Sequence, residues 1–532
     1  MKINKTTNND LTGKIKGGSV LTFKLLFFGI LCLGILARAW DFGKLPSGLI
    51  ADEASISVDA FNLLHYGVDH NGVSYPIHFI SFGSGQNALY GYLLIPFISL
   101  LGLNSITVKL PMLISGILAM PLIYWVTYKT FDKRIALISM FFLAISPWHI
   151  MLSRFGLESN LLPFVFIAAY ACLLKSLEDQ KWFIGTCVLL GMCLYSYVTT
   201  YITIPLFLAC VIGILLRGNK VSRRYLAAGL ALFIIISIPI GLFIFINLAG
   251  LNSIKIGLIT IPHLPTQPRF DSETGGLADH FLQTVGANIW ELVKLLFQQN
   301  DGIIYNSIEP FGYFYKITFP LAILGAILLY RSRKLPDGLK ISFLVAWLAA
   351  PLIFGFVQPV NINRINLIFI PILILIAVAI DWLGNKFNLV FPIAIFSFFL
   401  AFIAFTIVYH GVVYKEMADM KFHAGLLSAI QLADTTSQGP ICVTDRIDMP
   451  YIYILFVEKP APASYLNTIQ YKNIPGPYRQ VRSLLRFTFG KQYCANLPET
   501  VYLLRSDDGL PKTGIKYNVE VFNEYHVYIP KP

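Results

Sequence analysis

Two adjacent carboxylates, Asp52 and Glu53, lie a few residues past the first long apolar segment of this 532-residue chain. If that segment crosses a bilayer, both acids lie just outside it, at the boundary between membrane and water. Acidic side chains are costly near lipid and usually have a function there. The alternative is that they complete a helix N-terminus, with Ser47 as the N-cap and the acids interacting with the helix dipole.

Further ionisable residues follow other apolar segments at the same predicted surface. Arg154 and Arg364 carry planar guanidinium groups, which donate paired hydrogen bonds to phosphate and keep their charge. For either arginine alone, the alternative is a side chain that extends to the interface without a functional role. Acids on one loop and arginines on two others predict a site for an anionic substrate with an acid–base step. The other ionisable residues predicted at this surface are His65, Asp69, His70, His78, His149 and Glu158.

A metal centre is not predicted by the residue pattern. The chain has no CxxC motif, and the spacing of His65, His70 and His78 follows no usual zinc-ligand pattern. We therefore expect no cofactor, and a divalent metal ion has no support in the sequence.

The composition indicates the elements that must position these residues. The chain is 56% hydrophobic and 13% charged, whereas soluble domains are about 25% charged. Many apolar windows reach about 17–25 residues, the length that crosses a bilayer. We predict a polytopic α-helical membrane protein with eleven transmembrane helices and additional juxtamembrane helices. The predicted spans are 20–38, 106–128, 135–150, 160–176, 183–199, 201–216, 225–248, 312–330, 341–357, 365–383 and 389–410.

Basic residues set the predicted orientation. The net charge of +12 comes from short Lys and Arg clusters between alternate apolar segments, which fits the positive-inside rule and not a nucleic-acid partner. The arm at 1–19 is therefore predicted to be cytoplasmic, and the loops at 39–105 and 249–311 external. Residues 88–103 are apolar but short, and a span there would invert every later loop, so we predict an interfacial or re-entrant helix.

The membrane region is predicted to cover 20–410, and the remainder, 411–532, to form a small extracytoplasmic α/β domain. A helix is predicted at 415–433, strands at 441–444 and 500–504, and a strand pair at 517–529. Cys442 and Cys494 can form a disulfide if this domain lies outside the cytoplasm.

An ordered series of motifs resembles the GT-C glycosyltransferases, in particular the protein O-mannosyltransferase and aminoarabinose-transferase group. The resemblance is good over about 20–215, weak around Arg364 and nearly absent in the last domain. The motifs are Asp52-Glu53-Ala54, Leu89-Tyr90-Gly91-Tyr92-Leu93-Leu94 before Leu101-Gly102, Lys109-Leu110-Pro111, Ser146-Pro147-Trp148-His149 with Ser153-Arg154, and Asn363-Arg364.

The resemblance implies a sugar donor carried on a polyprenyl phosphate and an acceptor hydroxyl on a protein, lipid or glycan. It also implies Asp52 as the base, Glu53 as its neighbour, inversion at the anomeric carbon, and Arg154 or Arg364 on the leaving phosphate. His149 is a further substrate-binding candidate.

One stretch departs from the family pattern. Some relatives carry a charged residue and prolines before the Tyr-rich helix, where this chain has Gly83-Ser84-Gly85-Gln86-Asn87. Gln86 and Asn87 can hydrogen-bond a sugar or a phosphate but supply no charge, so the sugar stays unassigned.

Two other functions are compatible with a polytopic chain. A transporter or lipid-linked-sugar flippase would place ionisable groups at mid-membrane and often shows inverted repeats, whereas this chain has few charges within its spans and no visible repeat. A receptor or assembly protein would act through 411–532. The expected location of the enzyme is the plasma membrane of a prokaryote.

Overall fold

The computed structural model describes residues 20–218, 220–266, 281–332, 338–357, 360–472, 478–494, 498–511 and 514–531. The predicted N-terminal arm, 1–19, lies outside the described residues. In chain order the helices are α1 (Val20–Ala39), α2 (Ala51–Tyr66), α3 (Leu89–Leu101), α4 (Ser105–Thr130), α5 (Lys133–Ile145), α6 (Pro147–Leu152), α7 (Glu158–Ser176), α8 (Trp182–Cys193), α9 (Thr200–Gly218), α10 (Arg223–Leu248), α11 (Phe281–Gln298), α12 (Thr318–Ser332), α13 (Gly338–Val357), α14 (Ile362–Ile365), α15 (Phe369–Lys386), α16 (Val390–Tyr409), α17 (Val412–Lys421), α18 (Leu426–Thr436), α19 (Pro450–Glu458) and α20 (Pro462–Tyr465).

The polytopic helical architecture is confirmed. Within the described residues, eight helical segments are long and apolar enough to cross a membrane: α1, α4, α7, α9, α10, α13, the segment from α14 through α15, and α16. The three other predicted spans, 135–150, 183–199 and 312–330, correspond to the shorter helices α5, α8 and α12.

Proline explains why the span predicted at 135–150 is broken. Pro147 disfavours the helical conformation of Ser146, and Ser146 is extended with ψ at 121°. The chain restarts as α6 with Pro147 in the first turn, and Ser146 Oγ accepts a hydrogen bond from the His149 backbone N–H at 3.4 Å. The residues after the break form the separate short helix α6, which carries His149.

The most deeply buried span is α15. Nearly every residue from Phe369 to Ile380 is buried, and the helix packs against α5 and α12. A helix that is apolar on all sides and surrounded by other helices forms the centre of a bundle. Because α14 leads directly into α15, the position of Arg364 is fixed by the bundle core.

The loop at 39–105, which was predicted to be external, contains two helices and a small hairpin. α2 packs against α3, and β1 (His78–Phe79) pairs antiparallel with β2 (Gln86–Asn87). The interfacial helix predicted at 88–103 is α3, whose 13 residues are too few to cross a bilayer. The loop at 249–311, also predicted to be external, contains a hairpin of β3 (Ile254–Ile256) and β4 (Ile259–Ile261), followed by α11. Part of that loop lies outside the described residues.

The last domain is α/β, as predicted, but its first helix is divided. The helix predicted at 415–433 is α17 and α18, separated at Gly425, which has φ +85°. A side chain at Gly425 would collide with the backbone carbonyl of Phe522, so the interruption permits close packing on the sheet.

Within the described residues, the sheet of this domain has seven strands. In spatial order they are β10 (Tyr517–Phe522), β11 (Tyr525–Pro530), β9 (Val501–Arg505), β5 (Ile441–Val443), β8 (Phe487–Phe489), β7 (Val481–Leu484) and β6 (Gln470–Tyr471). The central strand β5 runs parallel to both β8 and β9, and the other pairs are antiparallel. Cys442 and Cys494 form a disulfide.

Candidate active site

A cavity of about 150 Å³ lies where the loop at 39–105 meets the ends of several helices. It combines one carboxylate, one guanidinium group, three carboxamides and several aromatic rings. The lining residues that could contact a substrate are His78, Gln86, Asn87, Glu158, Tyr197, Tyr201, Arg364 and Tyr478. Three of the predicted site residues, Gln86, Asn87 and Arg364, are therefore brought together.

Gln86 connects two elements that carry carboxylates. Its Nε2 donates to Glu158 Oε2 at 2.9 Å and to the backbone carbonyl of Asp52 at 3.4 Å. Gln86 Oε1 is buried and has no hydrogen-bond partner among the described residues. The amide thus joins α2 to the start of α7 and leaves one acceptor for a substrate hydroxyl.

Asn87, the next residue of β2, attaches this strand to the end of α8 and to α9. Its Nδ2 donates to the backbone carbonyl of Leu194 and to Tyr201 Oη, each at 3.2 Å. The hairpin turn before it requires glycine, because Gly85 has φ +92° and a side chain there would meet the ring of His78. Residues 83–87, where some relatives carry a charged residue, therefore form a tight hairpin that presents the side-chain amides of Gln86 and Asn87.

Arg364 is held next to Glu158 by the turn that begins α14. Asn361 caps this turn through a hydrogen bond from the Arg364 backbone N–H to its Oδ1 at 2.9 Å. Asn366 Nδ2 then donates to the backbone carbonyl of Ser159 at 2.7 Å, which joins the turn to the first residues of α7. A guanidinium group and a carboxylate from distant parts of the chain consequently line one cavity.

Asp52 lies in the first turn of α2, beside the cavity and partly exposed. Its backbone carbonyl receives the Gln86 amide, and its charge acts on the nearby hydroxyl of Tyr305. Acidic residues in the first turn of a helix are stabilised by the helix dipole. Of the adjacent acids, Asp52 is thus the one that solvent or a substrate can reach.

Glu53 has a different environment and closes the helix N-terminus. Its Oε2 accepts from the Ile50 backbone N–H at 3.1 Å, and its Oε1 accepts from the Gly156 backbone N–H at 2.6 Å. Burial raises the pKa of this carboxyl, opposed by the charge of Lys109 and by the two hydrogen bonds. The helix-capping alternative is therefore observed for Glu53, with Ile50 and not Ser47 at the N-cap.

Arg154 and His149 lie away from the cavity. Together with Arg38 they form a buried hydrogen-bond cluster that we call the brace. Arg154 is fully buried and donates to the backbone carbonyls of Leu45 at 2.9 Å and Arg38 at 3.0 Å. Arg38 Nη2 lies 2.7 Å from His149 Nδ1, and Arg38 also donates to the carbonyl of Leu143. These side chains bind the end of α1 to α5 and α6.

Lys109 completes this brace from α4. Its Nζ donates to the backbone carbonyls of Pro46 and Gly48, both at 2.8 Å. The backbone carbonyls of the loop between α1 and α2 thus accept hydrogen bonds from buried cations, which satisfies the polar backbone of the loop inside the protein. The brace sets where α2 begins and hence where Asp52 lies.

Five of the eight cavity residues named above were not selected from the sequence: His78, Glu158, Tyr197, Tyr201 and Tyr478. Glu158 was noted at the predicted outer surface but not assigned to the site, and it lines the cavity while it binds Gln86. The sequence signal for Glu158 was an acidic residue at the start of an apolar helix. Among the described residues, no group of three His, Cys, Asp or Glu side chains is arranged to hold a metal ion.

Comparisons with known proteins agree with this architecture. Residues 87–243 match the family model described as dolichyl-phosphate-mannose-protein mannosyltransferase. No curated protein sequence matches the chain. ArnT from Cupriavidus metallidurans, in a structure bound to undecaprenyl phosphate, is 13% identical, with a TM-score of 0.57 over 96% of this chain and 98% of that chain.

Archaeal oligosaccharyltransferases from Archaeoglobus fulgidus are also similar. AglB in complex with an inhibitory peptide and a dolichol-phosphate is 12% identical, with a TM-score of 0.50 over 96% of this chain and 74% of that chain. A complex with Zn and sulfate is 16% identical, with a TM-score of 0.52 over 82% of this chain and 61% of that chain. This chain spans less than two thirds of the length of two such oligosaccharyltransferase chains.

The family match covers the stretch from Asn87 through most of α10, which includes Glu158, Tyr197 and Tyr201. The shared fold with ArnT extends over nearly the whole chain, including the last domain. Residues 87–243 thus resemble the dolichyl-phosphate-mannose-protein mannosyltransferase family, and the chain shares the fold of ArnT over nearly its whole length.

Proposed function

We propose that the protein transfers a sugar from a polyprenyl-phosphate donor to an acceptor hydroxyl at the outer face of the membrane. The observation that carries this proposal is the bridge from Gln86 to Glu158 and Asp52 at the edge of a cavity that also contains Arg364. An acid–base group, a second carboxylate and a fixed cation are the groups that transfer from a sugar phosphate requires. The undecaprenyl phosphate and dolichol-phosphate bound to ArnT and AglB support this donor class.

Arg364 is the proposed phosphate-binding residue. Negative charge on the bridging oxygen grows as the bond between the anomeric carbon and the phosphate breaks. A guanidinium group fixed by α14 stabilises that charge without rearrangement in the transition state. Arg154 does not share this role in the proposal, because it is fully buried outside the cavity, where its Nε and Nη1 donate to backbone carbonyls.

Asp52 is the proposed base, and Glu158 the proposed stabilising carboxylate. Asp52 takes the proton of the acceptor hydroxyl, whose oxygen attacks the anomeric carbon on the face opposite the phosphate and inverts its configuration. Glu158 remains in place through its hydrogen bond from Gln86 and faces the cavity, where a carboxylate stabilises positive charge on an oxocarbenium-like sugar. Gln86 Oε1 and Asn87 bind sugar hydroxyls.

The orientation in the membrane is part of this proposal. The N-terminus is cytoplasmic, and the first external loop, the cavity and the domain at 411–532 lie outside the plasma membrane. The disulfide between Cys442 and Cys494 supports an extracytoplasmic domain, because disulfides persist in oxidising compartments.

The test is release of free polyprenyl phosphate when the purified protein is incubated with a panel of polyprenyl-phosphate sugars. We expect release with one donor, and a loss of at least about 100-fold for Asp52→Asn, since general-base catalysis contributes about 10²–10⁴-fold. Glu416→Gln is the control, because Glu416 is an exposed acid on α17 outside the cavity. Release by Asp52→Asn at the wild-type rate would contradict the assignment of the base, and no release from any donor by the wild type would contradict the function.

A further inference from the structure

A crevice of about 90 Å³ lies at the carboxyl end of β5 in the last domain. β5 is a central strand of the sheet and has a parallel neighbour on each side. In open sheets with parallel strands, ligands bind beyond the carboxyl ends of the strands, where connections diverge to the two sides. The crevice occupies this position in the fold.

The crevice is lined by polar side chains of complementary kinds. Asp445 and Asp448 supply carboxylate oxygens, which accept hydrogen bonds, and Lys472 and Gln480 supply an ammonium group and an amide, which donate them. A ligand that offers both hydroxyl hydrogens and hydroxyl oxygens fits this mixture. We call the set Asp445, Asp448, Lys472 and Gln480 the β5 crevice.

The geometry around Asp445 keeps the crevice open. Asp445 Oδ2 accepts from Gln492 Nε2 at 3.1 Å and lies 3.5 Å from Lys472 Nζ, which orients the carboxylate. Gly490 has φ +101°, and a side chain there would lie 2.7 Å from Asp445 Oδ2. Glycine at this position satisfies an unusual backbone conformation and leaves the carboxylate unobstructed.

The same chain segment connects the β5 crevice to the catalytic cavity. Tyr478 lines the cavity with 43% of its surface exposed, and Gln480, two residues further on, lines the crevice. The Arg479 backbone N–H donates to the carbonyl of Phe82 at 2.8 Å, which fixes the segment against the first external loop. Two residues of extended chain span about 7 Å, so one oligosaccharide can reach both places.

We propose that the β5 crevice and the ring of Tyr478 form a binding site for a glycan acceptor. The ring of Tyr478 contacts the apolar face of a pyranose, and its hydroxyl end stays in water. The β5 crevice binds the hydroxyl edge of the neighbouring sugar, so that the reactive hydroxyl points into the cavity. This inference rests on the proposed function, since it names the class of acceptor that the transferase uses.

Saturation-transfer NMR tests the proposal. It measures the binding of unlabelled probes to the full-length protein in lipid nanodiscs. The probes are maltotriose, N,N′-diacetylchitobiose and a serine-containing peptide. We expect at least one saccharide to bind, and Asp445→Asn and Tyr478→Ala each to weaken its binding at least fivefold. Tyr478→Phe, which keeps the ring, should bind within twofold of the wild type.

Glu520→Gln is the matched control for the acidic substitution, because Glu520 is an exposed acid on β10, at one edge of the sheet. Its binding should equal that of the wild type. Absence of saccharide binding, binding of the peptide alone, or saccharide binding that neither Asp445→Asn nor Tyr478→Ala weakens would each overturn the proposal. This readout needs no donor, so its failure is distinct from a failure to release polyprenyl phosphate.

Discussion

Gln86 Nε2 donates to Glu158 Oε2 at 2.9 Å and reaches the backbone carbonyl of Asp52 at 3.4 Å. A neutral amide thereby holds the start of α7 against the start of α2. This relationship brings the first residue of α7, the carboxylate Glu158, close to the first turn of α2, which carries Asp52. It also explains how the hairpin at 83–87, which has no charged residue, contributes to a site that contains charged groups.

Gln86→Ala should lower the rate of sugar transfer about 10- to 150-fold, because a hydrogen bond to a charged group contributes about 1.5–3 kcal/mol. Gln86→Glu should be more severe, since a third carboxylate would be placed beside Glu158. The measurement is kcat for polyprenyl phosphate release, with circular dichroism to verify folding. Equal rates for both variants and the wild type would show that the bridge has no catalytic importance.

The two arginines should respond differently to substitution. Arg364→Gln should raise the KM for the donor and lower kcat at an unchanged Tm, because the side chain lines the cavity. Arg154→Met should instead lower the unfolding free energy by about 2–4 kcal/mol, because it leaves buried backbone carbonyls unpaired. Donor kinetics and thermal unfolding of both variants separate the two roles. A normal Tm for Arg154→Met together with a loss of donor binding would assign the phosphate to Arg154.

Glu53→Gln should destabilise the protein by about 1–3 kcal/mol. The amide has one acceptor oxygen for the backbone N–H groups of Ile50 and Gly156, so one of these buried donors loses its partner. Asp52→Asn, one residue earlier, should keep the wild-type Tm. Thermal unfolding of the two variants side by side is the measurement, and a lower Tm for Asp52→Asn than for Glu53→Gln would reverse our assignment of the adjacent acids.

A buried acid–base cluster in the loop at 39–105 should make stability depend on pH. Burial and the neighbouring charge of Asp59 raise the pKa of Asp69 to about 7. Burial lowers the pKa of His70, but the charge of Asp59 and its hydrogen bond at 2.6 Å outweigh this effect, so the net shift is upward. Tyr465 Oη donates to the His70 carbonyl, which links the cluster to the last domain.

Both shifts predict the same sign. Asp69 has a raised pKa, so the folded protein holds a proton that the unfolded chain loses above about pH 4, and stability falls as pH rises towards 7. The raised pKa of His70 stabilises the fold below about pH 6.5, and this contribution is lost as pH rises through the folded pKa. Tm should therefore decrease between pH 5 and pH 9, and less steeply in Asp69→Asn. A Tm that increases over this range would contradict the prediction.

The disulfide should stabilise the last domain and report its location. Cys442 and Cys494 are 52 residues apart, so loss of the bond should cost about 4 kcal/mol by the chain-entropy relation. In intact cells, a membrane-impermeant maleimide should label these cysteines only after reduction by a thiol outside the cell. Labelling that requires permeabilised cells would place the domain in the cytoplasm.

The arrangement of spans could be predicted because it depends on local composition. A segment of about twenty apolar residues crosses a bilayer as a helix wherever it occurs, since the backbone must satisfy its hydrogen bonds internally. The break before Pro147 and the division at Gly425 were missed because proline and packing act on single positions within otherwise apolar or amphipathic windows.

The sequence by itself determined that this is a polytopic membrane protein, and it predicted a site with acids and arginines at one surface. Only the tertiary structure decided that Arg364 lines a cavity while Arg154 braces a loop, and that Glu158 belongs to the site. The two arginines each follow an apolar segment and cannot be distinguished locally. Whether a side chain meets a substrate or a backbone carbonyl depends on residues distant in sequence, which the packing of the helices brings next to it.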